Sequence, residues 1–238
     1  MISKKAMKPV LQFLAILTFL IAFTFDKSSA KNIAHPNIIA STEITSANGA
    51  SSSDNDSLAD LIDLRYKIAL DRLKFQASSL KEYARSHHFN TDYCFLVDMS
   101  LPSGKKRFFV YNMKKDSLEY SSMVAHGYGS APRFANEPLQ FSNVPNSAMT
   151  SLGKYKIGYS YFGAFGLAYK LYGLDSSNSN AFERAIVLHS YTSVPESETY
   201  PNLICESAGC PMVNSSFLAT LGKYIKASPK PILLWIYN

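Results

Sequence analysis

The spacing of apolar positions divides this chain into segments of different character. An uncharged, mainly apolar run from Val10 to Phe25 follows Lys4, Lys5 and Lys8 and is followed by Ser28-Ser29-Ala30. A basic start, an apolar stretch and small residues at minus three and minus one form a secretory signal pattern, with cleavage expected after Ala30. A retained anchor is the alternative, because about 16 apolar residues with snorkelling lysines can span a thin bilayer. Lys31 to Asp56 is rich in Ser, Ala, Asn and Thr, the composition of a solvated tether. Helical spacing then begins near Ser57, with Leu61, Ile62, Ile68, Leu73 and Tyr83 recurring to about Arg85 and a break expected near Ala77 to Ser79.

After His88 the pattern turns strand-like. Tyr93 to Val97 and Arg107 to Tyr111, joined through Pro102-Ser103-Gly104, read as a hairpin. Further strands are expected at Tyr120 to Ala125, Gly153 to Ile157, Ala185 to His189 and Ile232 to Tyr237, and a helix at Ser215 to Lys226 with Phe217, Leu218, Leu221 and Ile225 on one face. The aromatic stretch Tyr159 to Tyr172 reads as a hairpin or a flexible wall. Phe162 and Phe165 are expected in the core, and a loop role falls to Tyr161 and Tyr169. The expected organisation is a signal at 1–30, a tether at 31–56, a helical segment at 57–90 and a mainly β (α+β) domain at 91–238, with peripheral helices.

Composition narrows the function classes. At 238 residues with 47% hydrophobic and 18% charged content, the chain can bury one well-packed core, so dominant disorder is excluded. The net charge of +6 is misleading, since Lys4, Lys5, Lys8 and Lys27, against Asp26, leave with the leader and halve it. Nucleic acid is therefore not an expected partner. Cys94, Cys205 and Cys210 are too few for a disulfide scaffold and leave at least one thiol unpaired in the expected monomer.

An exported chain with a free thiol raises the question of a nucleophile. Cys210 follows Ser207-Ala208-Gly209 and precedes Pro211, a sharp turn whose backbone amides can lower a thiol pKa and receive an oxyanion. His189 ends the apolar run Ile186-Val187-Leu188, a rigid mount for a general base. His126, in Ala125-His126-Gly127, is the second candidate base or a stabiliser of a Gly-rich turn. Ser151-Leu152-Gly153-Lys154 fits Ser-x-x-Lys, but so do the stretches starting at Ser28, Ser78 and Ser103, and no Lys-Thr-Gly occurs. No His or Cys pair has zinc-ligand spacing, so no metal is expected.

Read together, His189-Ser190, a polar loop, and Ser207-Ala208-Gly209-Cys210-Pro211 resemble the signature of the L,D-transpeptidase catalytic domain. Phe95 to Asp98, Ser142 to Pro145, Ser151 to Tyr155 and Asn178 to Arg184 look like the YkuD-like subfamily whose cysteine turn ends in Gly-Cys-Pro. The resemblance covers about Tyr93 to Tyr237 and implies a β-sandwich catalytic fold acting on peptidoglycan stem peptides in the periplasm or cell envelope, without a cofactor. Carried across, Cys210 is the acylated nucleophile, His189 its base, the Ser190 carbonyl orients the imidazole, and the amides of Gly209 and Cys210 form the oxyanion hole. Ser207, His126 and Tyr191 fall near the substrate. Many members carry a His before the Gly and an Arg two residues after the Cys; here Ala208 and Met212 stand there, leaving Arg133 and Arg184 as candidates for the substrate carboxylate. The implied reaction forms a Cys210 thioester with loss of terminal D-alanine and transfers it to an amine, or to water as an L,D-carboxypeptidase. Acylation by carbapenems follows, with a catalytically silent wall-binding module as the rival reading. The implied chemistry needs Cys210 reduced, so any bridge would join Cys94 to Cys205, and three unpaired thiols are the stronger expectation.

Overall fold

The computed structural model describes residues 52–132 and 137–238, with side chains from residue 67 onward. The signal at 1–30 and most of the tether therefore lie outside the described residues, as does Arg133. Among the described residues no helix is long and apolar enough to cross a membrane.

Helix α1 (Ser52–Ser86) opens the described chain, starting at Ser52 rather than Ser57 and running without the break expected at Ala77 to Ser79. Ser78 and Ser79 lie on its exposed face, while Ala77, Leu80 and Ala84 are buried. Burial of that stripe outweighs the weak helix propensity of the two serines. Eight strands follow: β1 (Tyr93–Asp98), β2 (Phe108–Asn112), β3 (Ser117–Ser122), β4 (Gly153–Gly163), β5 (Gly166–Gly173), β6 (Val187–Ser190), β7 (Met212–Val213) and, after helix α2 (Ser215–Ala227), β8 (Leu233–Tyr237). They form one mixed sheet in the order β3-β2-β1-β8-β4-β5-β6-β7. The hairpin β1–β2 is antiparallel, with Phe95 opposite Val110, whereas β1–β8 and β6–β7 are parallel. The long 191–211 loop is the crossover that lets β7 lie parallel to β6, and β1 and β8 are parallel because the rest of the domain separates them in the chain.

Strand alternation supplies a core on each face. Phe95, Val97, Val110, Tyr155, Leu171, Leu188 and Leu234 pack with Phe217, Leu218 and Leu221 of α2. Cys94, Leu96, Tyr111, Leu233 and Tyr237 pack with Leu73, Ala77, Leu80 and Ala84 of α1. The Asn214 side chain accepts from the Phe217 amide at 2.8 Å, starting α2 directly behind β7. Arg72 fastens α1 to the sheet through Ser100 at 2.7 Å and Asp98 at 3.6 Å.

The three cysteines are free. Cys94 is sealed under α1, and Cys205 packs against a separate cluster of Met123, Ala125, Val194 and Met212. The expected core positions of Phe162 and Phe165 are corrected: both lie at the exposed β4–β5 tip, at 85% and 60% exposure, because the hairpin extends beyond the layer that α2 covers. Tyr169, given a loop role above, is instead a buried core residue of β5.

Candidate active site

Gly209 sets the turn. Its φ of +115° is open to glycine, and an added Cβ would lie 2.8 Å from the Met149 carbonyl and 3.3 Å from an Arg184 nitrogen. The Ser207 hydroxyl ties the loop by donating to the Cys210 carbonyl at 2.6 Å and accepting from the Gly209 amide at 3.0 Å. This corrects one expectation: the Gly209 N–H is spent inside the turn, so Gly209 acts through its conformation. The Cys210 N–H makes no backbone hydrogen bond among the described residues and is the amide left for an oxyanion. Gly127 packs against the same turn, where a Cβ would meet Gly209 backbone at 2.9 Å.

Cys210 stands at the head of β7. Its Sγ accepts from the Val187 amide at 3.4 Å and its S–H points at the Ala185 carbonyl at 3.8 Å. Ala185 has a φ of +54°, a left-handed conformation costing a non-glycine residue about 1–2 kcal/mol. The amides of Ala185 and Ile186, bonded to Phe182 at 3.0 Å and Ala181 at 2.9 Å, hold it there. Burial pushes the Cys210 thiol up, and the Val187 amide, Arg184 and Lys170 pull the other way without overcoming it. The resting sulfur is thus a thiol that needs a base.

His189 lies on β6, opposite Met212 of β7 and Ala168 of β5. It is 3% exposed. Its Nδ1 lies 3.1 Å from the Ser190 carbonyl, which fixes the proton on Nδ1 and leaves the Nε2 lone pair available. Phe165 stacks on the imidazole with centroids 5.0 Å apart, and Tyr191 meets Phe165 edge-on at 6.0 Å. Burial holds the imidazole below its usual pKa, so it is neutral near pH 7. A neutral thiol on the turn leading into β7 therefore stands beside β6, which carries a neutral imidazole, and no hydrogen bond joins them in this structure.

Arg184 is committed to the protein. Its two Nη atoms donate to the carbonyls of Ser142 at 2.8 Å and Met149 at 2.6 Å, to Ser147 Oγ at 3.3 Å and to Ser151 Oγ. It ties the 142–151 loop to the Gly209 turn and brings positive charge to the thiol. Lys170, facing Val187 across β5–β6, is a second nearby cation that the sequence reading missed. Its signal is visible in hindsight, as the single charge within Gly166 to Gly173.

His126 belongs to a different array. Arg107, fully buried, donates to the Val124 carbonyl from Nε at 3.1 Å and from Nη2 at 3.0 Å, and to the Leu101 carbonyl at 3.0 Å. A further Nη2 hydrogen reaches His126 Nδ1 at 2.8 Å, leaving Nε2–H directed at Glu206, 3.5 Å away. Burial first, and Arg107 second, push the His126 pKa down to about 4. With Nδ1 occupied and Nε2 facing a carboxylate, His126 is a poor alternative base. Its carbonyl accepts from the Ser207 amide at 2.8 Å, so the array props the cysteine turn from behind. Among the described residues no three His, Cys, Asp or Glu side chains converge as a metal site.

Residues 65–237 match the family model for the L,D-transpeptidase catalytic domain. No curated protein sequence matches the chain. Among solved structures it is similar to Bd1075 of Bdellovibrio bacteriovorus, at 15% identity over 63% of this chain and 49% of that one, with a TM-score of 0.39. The helical cell shape determining protein Pgp2 of Campylobacter jejuni, as its K307A mutant, gives 12% identity over 61% and 47%, with a TM-score of 0.41. An L,D-transpeptidase from Mycobacterium smegmatis gives 12% identity over 62% and 59%, with a TM-score of 0.36. The chain thus spans about half the length of the first two. With the family model covering most of its length, the chain belongs to the L,D-transpeptidase catalytic domain family.

Proposed function

We propose that this chain is an exported cysteine acyltransferase that forms a Cys210 thioester on peptidoglycan stem peptides. The observation that carries the reading is the Cys210 thiol on its Gly209 turn, with a free amide at its own nitrogen and a tautomer-fixed, neutral His189 on the adjoining strand. His189 Nε2 takes the thiol proton as Sγ attacks the carbonyl of the third, diamino acid residue of a donor tetrapeptide. The Cys210 N–H receives the oxyanion, and the imidazolium returns its proton to the departing D-alanine nitrogen. An amine of a second stem resolves the thioester to a cross-link; water resolves it to a shortened stem. Arg184 and Lys170 lower the cost of charge on sulfur during attack.

One solved structure similar to this chain is an L,D-transpeptidase, LdtMt1, in complex with imipenem, at 13% identity and a TM-score of 0.34. Incubation with imipenem followed by intact-mass measurement tests the nucleophile, and purified sacculi with muropeptide analysis distinguish cross-linking from trimming. Amino-terminal sequencing of secreted protein tests cleavage after Ala30. Met212, where many members carry an arginine, favours a second reading as a silent wall-binding module. A chain that sediments with sacculi yet takes no imipenem adduct and changes no muropeptide would establish that alternative.

A further inference from the structure

A cavity of about 400 Å³ opens away from the cysteine turn, where the start of β1, the middle of β3 and the second half of α2 meet. Tyr93, Tyr120 and Tyr224 form its aromatic wall, and Asp92, Lys223 and Thr220 supply its polar edge. The Tyr93 and Tyr120 rings stand steeply to that of Tyr224, at 68° and 73°, with centroids 4.9 and 6.1 Å away. The wall is fixed before any ligand arrives. The Tyr224 hydroxyl is bonded to Glu119, which also accepts from Asn112 at 2.6 Å. Asn90 accepts from the amides of Asp92 at 2.8 Å and Tyr93 at 2.7 Å and donates to Ser228 at 2.7 Å. The groups at the mouth are less committed. Tyr120 is half-exposed, Asp92 and Lys223 are exposed, and neither charge belongs to an ion pair among the described residues.

We propose that this cavity is a glycan subsite, binding the N-acetylated amino-sugar strand of the wall while Cys210 works on its stem peptides; the identity of the strand rests on the function proposed above. A pyranose ring offers an apolar C–H face and a rim of hydroxyl groups, which matches tyrosine faces edged by a carboxylate, an ammonium and a hydroxyl. One acidic and one basic side chain balance, favouring a neutral polyhydroxylated ligand over an anionic one. The volume falls within the range of small-ligand sites, about 300–1,000 Å³, and the fixed wall spares ordering cost on binding. Cavity and cysteine turn share no residue. The subsite therefore raises affinity for glycan-linked stems without entering the chemistry.

The test titrates the full chain with the β-1,4-linked N-acetylglucosamine tetramer by calorimetry and follows imipenem adduct formation on the same preparations. Saturable binding, weakened about tenfold or more in Tyr120→Ala and Asp92→Ala with unchanged imipenem labelling, supports the subsite. No saturable binding, or equal affinity in both variants, overturns it. Tetramer binding with the same variant sensitivity but no imipenem adduct upholds the subsite and removes the catalytic reading instead. Both substitutions lie at exposed positions, and urea unfolding of each variant verifies the fold.

Discussion

Acid should unfold this protein partly through His126. The imidazole is buried, accepts a hydrogen bond from Arg107 and sits at about 4 instead of the usual 6.5. In the unfolded chain it binds a proton as pH falls through 6.5, while in the fold it resists until about 4. Between those values the unfolded state holds more protons, so stability is complete above the window and is lost on acidification through it. Moving a histidine from 6.5 to about 4 corresponds to about 3 kcal/mol once both states are protonated. That is a large share of the 5–15 kcal/mol typical of a domain. His126→Gln keeps an acceptor for Arg107 and a donor toward Glu206 but cannot titrate. Urea unfolding of both proteins from about pH 7 to pH 4 should therefore give curves that diverge by about 3 kcal/mol, the wild type falling more steeply. Losses through His189 and through Glu119 and Glu198, whose carboxyls are held below their ordinary range, are common to both and cancel. Parallel curves would refute the placement of His126 against Arg107.

Other outcomes follow from the cysteine turn. Cys210→Ala should abolish the imipenem adduct with little change in stability, whereas Cys94→Ala and Cys205→Ala should keep it; loss of labelling in folded Cys205→Ala would move the nucleophile. Gly209→Ala should cost several kcal/mol and most of the labelling rate, since it combines a positive φ with a Cβ 2.8 Å from the Met149 carbonyl; labelling at the wild-type rate would count against the turn geometry. His189→Ala should slow acylation by about two to four orders of magnitude. Phe165→Ala should admit water to the imidazole and raise its pKa, moving the acidic limb of the labelling profile to higher pH; a limb that stays in place would show that Phe165 does not shield it.

The strands that the sequence exposes are those buried against a core on each face, whose residues form short continuous apolar runs, as in Tyr93 to Val97 and Ile232 to Tyr237. Strand β7, two residues long, carries no periodic signal and exists through its pairing with β6. In β4–β5, Tyr and Phe occupy buried and exposed positions alike, so hydrophobicity does not separate Tyr169 in the core from Phe162 in solvent. The Cys210 turn and His189 are legible because a Gly-Cys-Pro turn and a histidine after an apolar run are local features. Arg107 and Glu206 are not, because their role depends on contacts to a histidine far along the chain, and a basic residue before a strand looks like a solvated charge. Arg184 is visible as a residue, but its commitment to the 142–151 loop belongs to the fold.

The thiol's surroundings are assembled from Gly127, the 142–151 loop, Arg184 to Val187 and Ser207, segments that meet only when the strand order is complete. Pairings between such distant segments form late, because loop closure must precede the contacts that reward it. A collapsed chain with helices formed but β6 and β7 unpaired would carry Cys210 as an ordinary exposed sulfhydryl, open to any alkylating reagent yet without an oxyanion amide or base. Under the proposed function, reactivity toward a β-lactam would then switch on at the final step of folding, making that chemistry a clock for completion of the topology.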